Sequence, residues 1–236
     1  MSDQRQRVRR EVVSFVRRST RMNDSQRKAW EAHRHTWVID DLPIDETHTS
    51  LAPDAAIDPP AIFGREAPLA VEIGSGAGEN AVALAAARPE LNIIAFEVFL
   101  PAVASTLSRI ARAEVTNVRI IPRDGAQGLA TLFGSGEIAE LWTFFPDPWH
   151  KGRHHKRRLV NPAFADLVAD RLAPGGQWYL ATDWAEYADH VHEVLDGHPE
   201  FIADHRRMPH RPLTKYESRG IEAGREIHDL AYRRRP

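Results

Sequence analysis

The chain has 236 residues, 42% hydrophobic and 27% charged, which suffices for one sizeable core and does not require a second domain. It has no cysteine, which excludes disulfide scaffolds and thiolate chemistry, and with neither an apolar leader nor a bilayer-length run it is expected to be soluble and cytoplasmic. The formal net charge of -2 hides a polarised chain: Lys plus Arg against Asp plus Glu number 10 and 4 over residues 1–36, 6 and 16 over 37–147, and 15 and 13 over 148–236. An acidic middle suits a cationic small ligand, and basic ends suit a polyanion.

In chain order, residues 1–36 read as a basic arm with weak helical spacing of Val12, Val13, Phe15 and Val16 among arginines, a segment that need not be ordered without a partner. A single domain is expected over 37–236, entered through an Asp- and Pro-rich linker over 40–68 that closes in the turn "FGREAP". "LAVEIG" (69–74) is a short apolar strand closed by glycines, followed by the alanine-rich helix "ENAVALAAARPE". "NIIAFEV" (92–98) is a second strand, and "PAVASTLSRIARAE" a helix with proline at its start. "VRIIPRD" (118–124), "ELWTFFP" (140–146) and "GQWYLATD" (176–183) continue the series, with helices at "NPAFADLVADRLAPGG" and "WAEYADHVHEVLDG". This alternation implies an α/β fold, a doubly wound parallel sheet.

In such sheets the ligand crevice lies outside the carboxyl ends of the strands. Those ends carry Glu72, Glu97, Asp124 and Asp147, with Asp183 closing a fifth strand. The first turn holds Gly74, Gly76 and Gly78 at GxGxG spacing, not the GxGxxG of dinucleotide folds; Glu79 stands where the last glycine would fall, and no Walker A lysine is present. Glu97 can accept both hydroxyls of a ribose, and Asp124 ends the strand beside which an adenine would sit. A pyrophosphate is a poor companion for these acids, since like charges about 4 Å apart cost roughly 4 kcal/mol at a surface-like dielectric. S-adenosylmethionine, with a sulfonium, an ammonium and no phosphate, suits them. Each acid alone could serve as a helix N-cap; their recurrence at successive strand ends points to a site.

Strand four leads into "FFPDPWHKGRHHKRR", where Pro146 and Pro148 stiffen the backbone around Asp147. Trp149 can stack on an unpaired base, worth roughly 1–3 kcal/mol, and Lys151, Arg153, Lys156, Arg157 and Arg158 can hold phosphates. His150, His154 and His155 share the loop with five cations and no acidic or thiolate partner, so no metal is expected. Downstream, Thr214, Lys215, Tyr216 and Glu217 offer a hydroxyl, a cation, an aromatic ring and an acceptor in one run, a set that could grip a nucleotide or simply satisfy a turn.

Taken together, "SFVRRSTRM", "FGREAPLAVEIGSGAGE", "FEV", "RDG", "FPDPWHKGRHHKRRLV", "LATD" and "TKYESRG" occur in an order and spacing that resembles the bacterial tRNA (guanine-N7-)-methyltransferases over nearly the whole chain. The resemblance implies a mostly parallel seven-stranded sheet of the Rossmann-like methyltransferase type with helices on both faces, and methylation of a variable-loop guanosine in tRNA from S-adenosylmethionine. It implies cofactor contacts at Glu72, Gly74, Gly76, Glu97, Asp124 and Asp147, a catalytic Asp147, and substrate contacts at Lys151, Asp183, Thr214, Lys215, Tyr216 and Glu217. Tyr216 departs from the phenylalanine frequent at that position. Guanine N7 carries a lone pair and no proton, so Asp147, with Asp183, is expected to orient the base and offset its gained charge rather than act as a base. The rival readings are a nicotinamide-dependent oxidoreductase, which lacks its glycine fingerprint here, and a non-catalytic RNA-binding module, which would not need an acid at each strand end. The residues by themselves do not distinguish N7 from other ring nitrogens and leave monomer and dimer both open.

Overall fold

The computed structural model describes residues 21–44, 51–204 and 207–236, so most of the sequence-predicted arm lies outside the described residues. Its end does not: α1 (Asp24–Trp37) opens with a capping box in which Asn23 and Gln26 exchange side-chain and backbone hydrogen bonds. α2 (Pro59–Phe63), β1 (Leu69–Ile73), α3 (Glu79–Ala87), β2 (Asn92–Phe96), α4 (Leu100–Ala113), β3 (Val118–Ile121), α5 (Gly125–Leu132) and β4 (Ile138–Phe144) follow. Then come a 3-10 turn (Gly152–Arg157), α6 (Pro162–Arg171), β5 (Leu172–Thr182), α7 (Ala185–Leu195), β6 (Phe201–Ala203), α8 (Lys215–Glu222) and β7 (His228–Arg234).

The strands form one sheet in the order β3-β2-β1-β4-β5-β7-β6, parallel except that β7 runs against both β5 and β6. β1 lies between β2 and β4, so the chain order reverses there and opens a crevice beyond the carboxyl end of β1. Apolar side chains on both sheet faces drive this arrangement. On one face Ile93, Ala95, Trp142 and Phe144 cluster with Leu84 of α3 and Leu107 and Ile110 of α4. On the other, Ile94, Phe96, Leu141 and Trp178 pack with Leu129 of α5, Val168 of α6 and Tyr187 of α7. The buried indoles satisfy their N–H groups on Glu140 Oε2 (2.9 Å, from Trp142) and Thr143 Oγ1 (3.0 Å, from Trp178). α1 docks on α4 through Gln26, whose side-chain amide donates to the Pro101 carbonyl (2.9 Å) and Ser105 Oγ (3.1 Å). No helix among the described residues is long and apolar enough to cross a membrane.

Two readings of local pattern change in the fold. The helix read through "RLAPGG" stops at Arg171, because Leu172 is extended (ψ 139°), Pro174 cannot continue a helix, and Leu172 pairs with Ile138 of β4 ahead of a register shift. Of the segment over 40–68, read as a linker, residues 51–68 are part of the body: Leu51 and Ala55 are buried, and the Gln127 side chain bonds both the N–H (2.7 Å) and the carbonyl (2.8 Å) of Leu51. The short α5 escaped the strand and helix reading altogether.

The junction from β1 to α3 is a tight left-handed turn. Gly78 has φ 75°, and a Cβ there would lie 2.3 Å from Thr106 Cγ2. Gly78→Ala therefore combines backbone strain with a clash against α4, and should lower unfolding stability by about 2–4 kcal/mol in urea titrations. A change within about 0.5 kcal/mol would mean that α4 is not seated on this turn.

Candidate active site

A cleft of about 550 Å³ opens at the reversal point. Glu72, Gly74, Gly76, Glu97, Asp124, Asp147, Thr214, Lys215 and Tyr216 line it together; Lys151, Asp183 and Glu217 do not. The acids expected at the strand ends thus converge on one edge of the sheet. Each has a distinct local role.

Glu72 is the penultimate residue of β1 and only 1% exposed. Burial, and then the charge of Glu97, push its carboxyl up to about 8, while hydrogen bonds from Asn80 and the Ala81 backbone oppose the rise. Its Oε2 has no hydrogen-bond partner, and neither do the buried Ser75 Oγ and Asn80 Oδ1, which line the same cleft. Three polar atoms, from a carboxyl, a hydroxyl and an amide, are therefore left unpartnered on one buried wall.

Glu97 follows β2 and is held by two backbone amides, Gly76 N on Oε2 and Phe99 N on Oε1, both at 2.8 Å. This fixes the plane of the carboxylate. Three other donors of the turn are taken by backbone carbonyls: Gly74 N and Ser75 N donate to the Phe96 carbonyl (2.9 and 3.0 Å), and Gly78 N donates to the Ser75 carbonyl (2.9 Å). A phosphate cradle needs those N–H groups pointing at the ligand, and here they point into the protein. Asp124 caps α5, its Oδ1 accepting from Ala126 N (2.9 Å) and Gln127 N (3.4 Å), while the residue lines the cleft.

Beyond β4 the backbone is strained on both sides of Asp147. Phe145 and Trp149 have φ of 52° and 45°, left-handed values that bulky residues adopt at an energetic cost of about 1–3 kcal/mol each. The strain is held by contacts: Phe145 N donates to the Ala181 carbonyl (2.7 Å), and its ring lies 5.2 Å from that of Tyr216. Asp147 itself is exposed at the cleft. Lys151, Arg153 and Lys156 project from the following 3-10 turn into solvent. Arg158, expected among the phosphate-binding cations, does not. It is 4% exposed, donates to the Pro148 carbonyl (3.1 Å) and to Glu186 (2.8 Å), and lies over the Tyr187 ring, so it anchors the loop. The Trp149 ring carries the Arg157 guanidinium 3.6 Å from its centroid, a cation–π contact on the face expected to meet a base.

The opposite wall is the start of α8. Thr214 caps it by accepting from Glu217 N (3.2 Å). Tyr216 is half exposed, and its hydroxyl approaches Asp183 Oδ1 at 3.5 Å. Asp183 lies beneath the helix, ion-paired with Arg225 at 3.0 Å. The Glu217 carboxylate faces inward: Arg211 engages both oxygens at 2.9 Å and Arg207 adds a contact at 3.0 Å. Arg211 is itself buried, reaches Asp229 of β7 (2.8 Å), and lies over the Phe144 ring. Arg211, Arg225, Glu79 and Arg109 all shape this wall and none was singled out for such a role in the sequence, where they look like ordinary surface charges. Among the described residues no group of three or more His, Asp or Glu is placed to hold a metal ion.

A buried acidic wall, a carboxylate fixed by two backbone amides and a cationic turn at the rim surround one cleft. Residues 66–230 match a family model described as "Putative methyltransferase". The tRNA (guanine-N(7)-)-methyltransferase of Cutibacterium acnes is 54% identical, with 97% of this chain and 85% of that protein aligned. The protein of the same description from Nocardioides sp. is 51% identical over 96% of this chain and 88% of its own. Among solved structures, the 16S rRNA methyltransferase KamB superposes with a TM-score of 0.54 at 15% identity, covering 82% of this chain and 95% of that one. An rRNA methylase from Streptococcus thermophilus gives 0.51 at 16% identity, over 72% and 88%. The structural likenesses speak to the fold; the sequence relatives, aligned across nearly the whole chain, place this protein in the tRNA (guanine-N(7)-)-methyltransferase family.

Proposed function

We propose that this protein transfers the methyl group of S-adenosylmethionine to N7 of a guanosine in the variable loop of cytoplasmic tRNA. The observation that carries the reading is the set of three unpartnered buried acceptors, Glu72 Oε2, Ser75 Oγ and Asn80 Oδ1. Together they offer a carboxylate, once Glu72 is deprotonated, and two further oxygens to an ammonium. Glu97, fixed by two amides, matches a ribose diol, and the inward-turned amides of the glycine turn oppose a pyrophosphate. The residues present therefore fit S-adenosylmethionine, which when bound supplies an electrophilic methyl on a sulfonium.

The chain's own residues do the positioning. Asp147, exposed at the mouth of the cleft on a loop stiffened by two prolines, accepts hydrogen bonds from guanine N1–H and the exocyclic amine. That orients N7 toward the methyl and offsets the positive charge the purine gains, with no proton to remove. Tyr216 forms the facing wall; burial and the Asp183 carboxylate push its hydroxyl above the ordinary range, so it stays a donor. Asp183 acts from behind, holding Tyr216 and Arg225, and Glu217 holds α8 against β7 through the arginines. Lys151, Arg153, Lys156 and Lys215, with Thr214, meet the tRNA backbone.

Incubation with bulk tRNA and labelled S-adenosylmethionine, followed by nucleoside analysis, should yield 7-methylguanosine; another methylated nucleoside, or none, refutes the reading. In that assay Asp147→Asn should lose about 100-fold in turnover at saturating substrates with a smaller loss of cofactor affinity. Near-normal turnover would remove Asp147 from the mechanism.

Glu72 makes cofactor binding pH-dependent. Below its folded value of about 8 the carboxyl holds a proton that must leave when a cation docks. Affinity should thus climb as pH rises from about 6 toward 8 and level off above, with proton release visible by calorimetry in buffers of different ionisation heat. Glu72→Gln should flatten the climb, and an unchanged profile in that variant would show that another group titrates.

Affinity for tRNA should fall steeply with salt, and neutralising Lys151 or Arg153 should reduce the log–log slope by roughly one each. A salt-independent affinity would contradict backbone contact.

A further inference from the structure

Glu79 is the first residue of α3, at the outlet of the glycine turn, and its carboxylate joins three separate elements. Oε1 accepts from Arg109 of α4 (2.9 Å), and the same guanidinium donates through Nε to the Ala77 carbonyl inside the turn (2.9 Å). Oε2 accepts from the backbone N–H of Lys215 at 2.7 Å. Lys215 is the first residue of α8, whose N-cap Thr214 already serves Glu217 N. Glu79 thus supplies a second acceptor at that helix start, where an anion is also favoured by the helix dipole. Ala77, Glu79 and Lys215 all line the cleft. The side chain of Glu79 is 22% exposed and that of Arg109 32%, so the link is partly shielded from water.

We infer that Glu79 is a positioning residue that couples occupation of the donor cleft to the tRNA-facing start of α8. The inference rests on the proposed function. The two walls of the cleft, the glycine turn and the Lys215–Tyr216 edge, meet through one carboxylate. A ligand between those walls favours the geometry in which the link is made. The link in turn fixes the Lys215 amide, and with it Thr214 and Tyr216, in the orientation that meets tRNA. Coupling of this kind is reciprocal: whatever the donor does for tRNA affinity, tRNA does for donor affinity. Arg109 supports the arrangement from α4 by tying the same carboxylate to the turn carbonyl.

The test uses S-adenosylhomocysteine, which fills the donor site without reacting. The affinity of full-length protein for unmodified tRNA is measured with and without saturating S-adenosylhomocysteine, and the ratio of the two is the readout, independent of either affinity alone. In the unaltered protein the ratio should be about tenfold, the scale of one hydrogen bond to a charged group. Glu79→Ala should bring it to about one, whereas Glu79→Gln, whose amide oxygen still accepts from Lys215 N, should keep most of it. Arg109→Gln, should Glu79→Ala fold poorly, is expected to give an intermediate ratio. A ratio near one in the unaltered protein, or an undiminished ratio in Glu79→Ala, overturns the inference. Failure of the unaltered protein to bind either S-adenosylhomocysteine or tRNA overturns the functional reading instead.

Discussion

The organising constraint is the placement of Glu72 and Glu97 at the ends of adjacent central strands, close enough for each to feel the other's charge where water is scarce. Burial, and then the charge of Glu97, push the Glu72 carboxyl up to about 8. Ser75 Oγ and Asn80 Oδ1 add unpartnered oxygens to the same wall.

The glycine turn reinforces that choice by spending its own donors. In a dinucleotide fold the amides after the first strand face the phosphates. Here Gly74, Ser75 and Gly78 satisfy backbone carbonyls, and Gly76 satisfies Glu97. The turn therefore shapes the pocket and aims a carboxylate, and the same glycines that suggest nucleotide binding disfavour a pyrophosphate. Left-handed φ at Gly74 and Gly76 makes the turn possible and keeps side chains away from the cleft.

The acceptor side of the site is built from strain and buried ion pairs. Phe145 and Trp149 bracket Asp147 in backbone conformations that only the surrounding contacts sustain, among them the Arg158 bond to the Pro148 carbonyl and the Phe145–Tyr216 ring contact. Arg211 contacts Phe144, Glu217 and Asp229, and so ties together the end of β4, the start of α8 and β7. Buried ion pairs of this kind contribute little net stability but fix a register, since any alternative packing leaves a charge unpaired. The loop carrying Asp147 is tied to its neighbours by these contacts, while Lys151, Arg153 and Lys156 beyond it are exposed.

Much of this was determined by the sequence alone. Alternating apolar strands and helices force a right-handed doubly wound sheet, and that handedness delivers Glu72, Glu97, Asp124 and Asp147 to one edge without any knowledge of their contacts. The proline-flanked Asp147 and the cationic run after it were legible for the same reason, since their chemistry lies in residues adjacent in the chain. Tertiary structure decided the rest. It put Leu51 and Ala55 into the core, stopped α6 at Arg171, sank Arg158 into the loop it was expected to expose, and turned Glu217 inward onto Arg211. It brought Glu79 to Lys215 across 136 positions of chain. Periodicity reports which face of an element is buried, but a lone charged residue has no period; its partner is chosen by how distant elements pack, and only the folded chain holds that information.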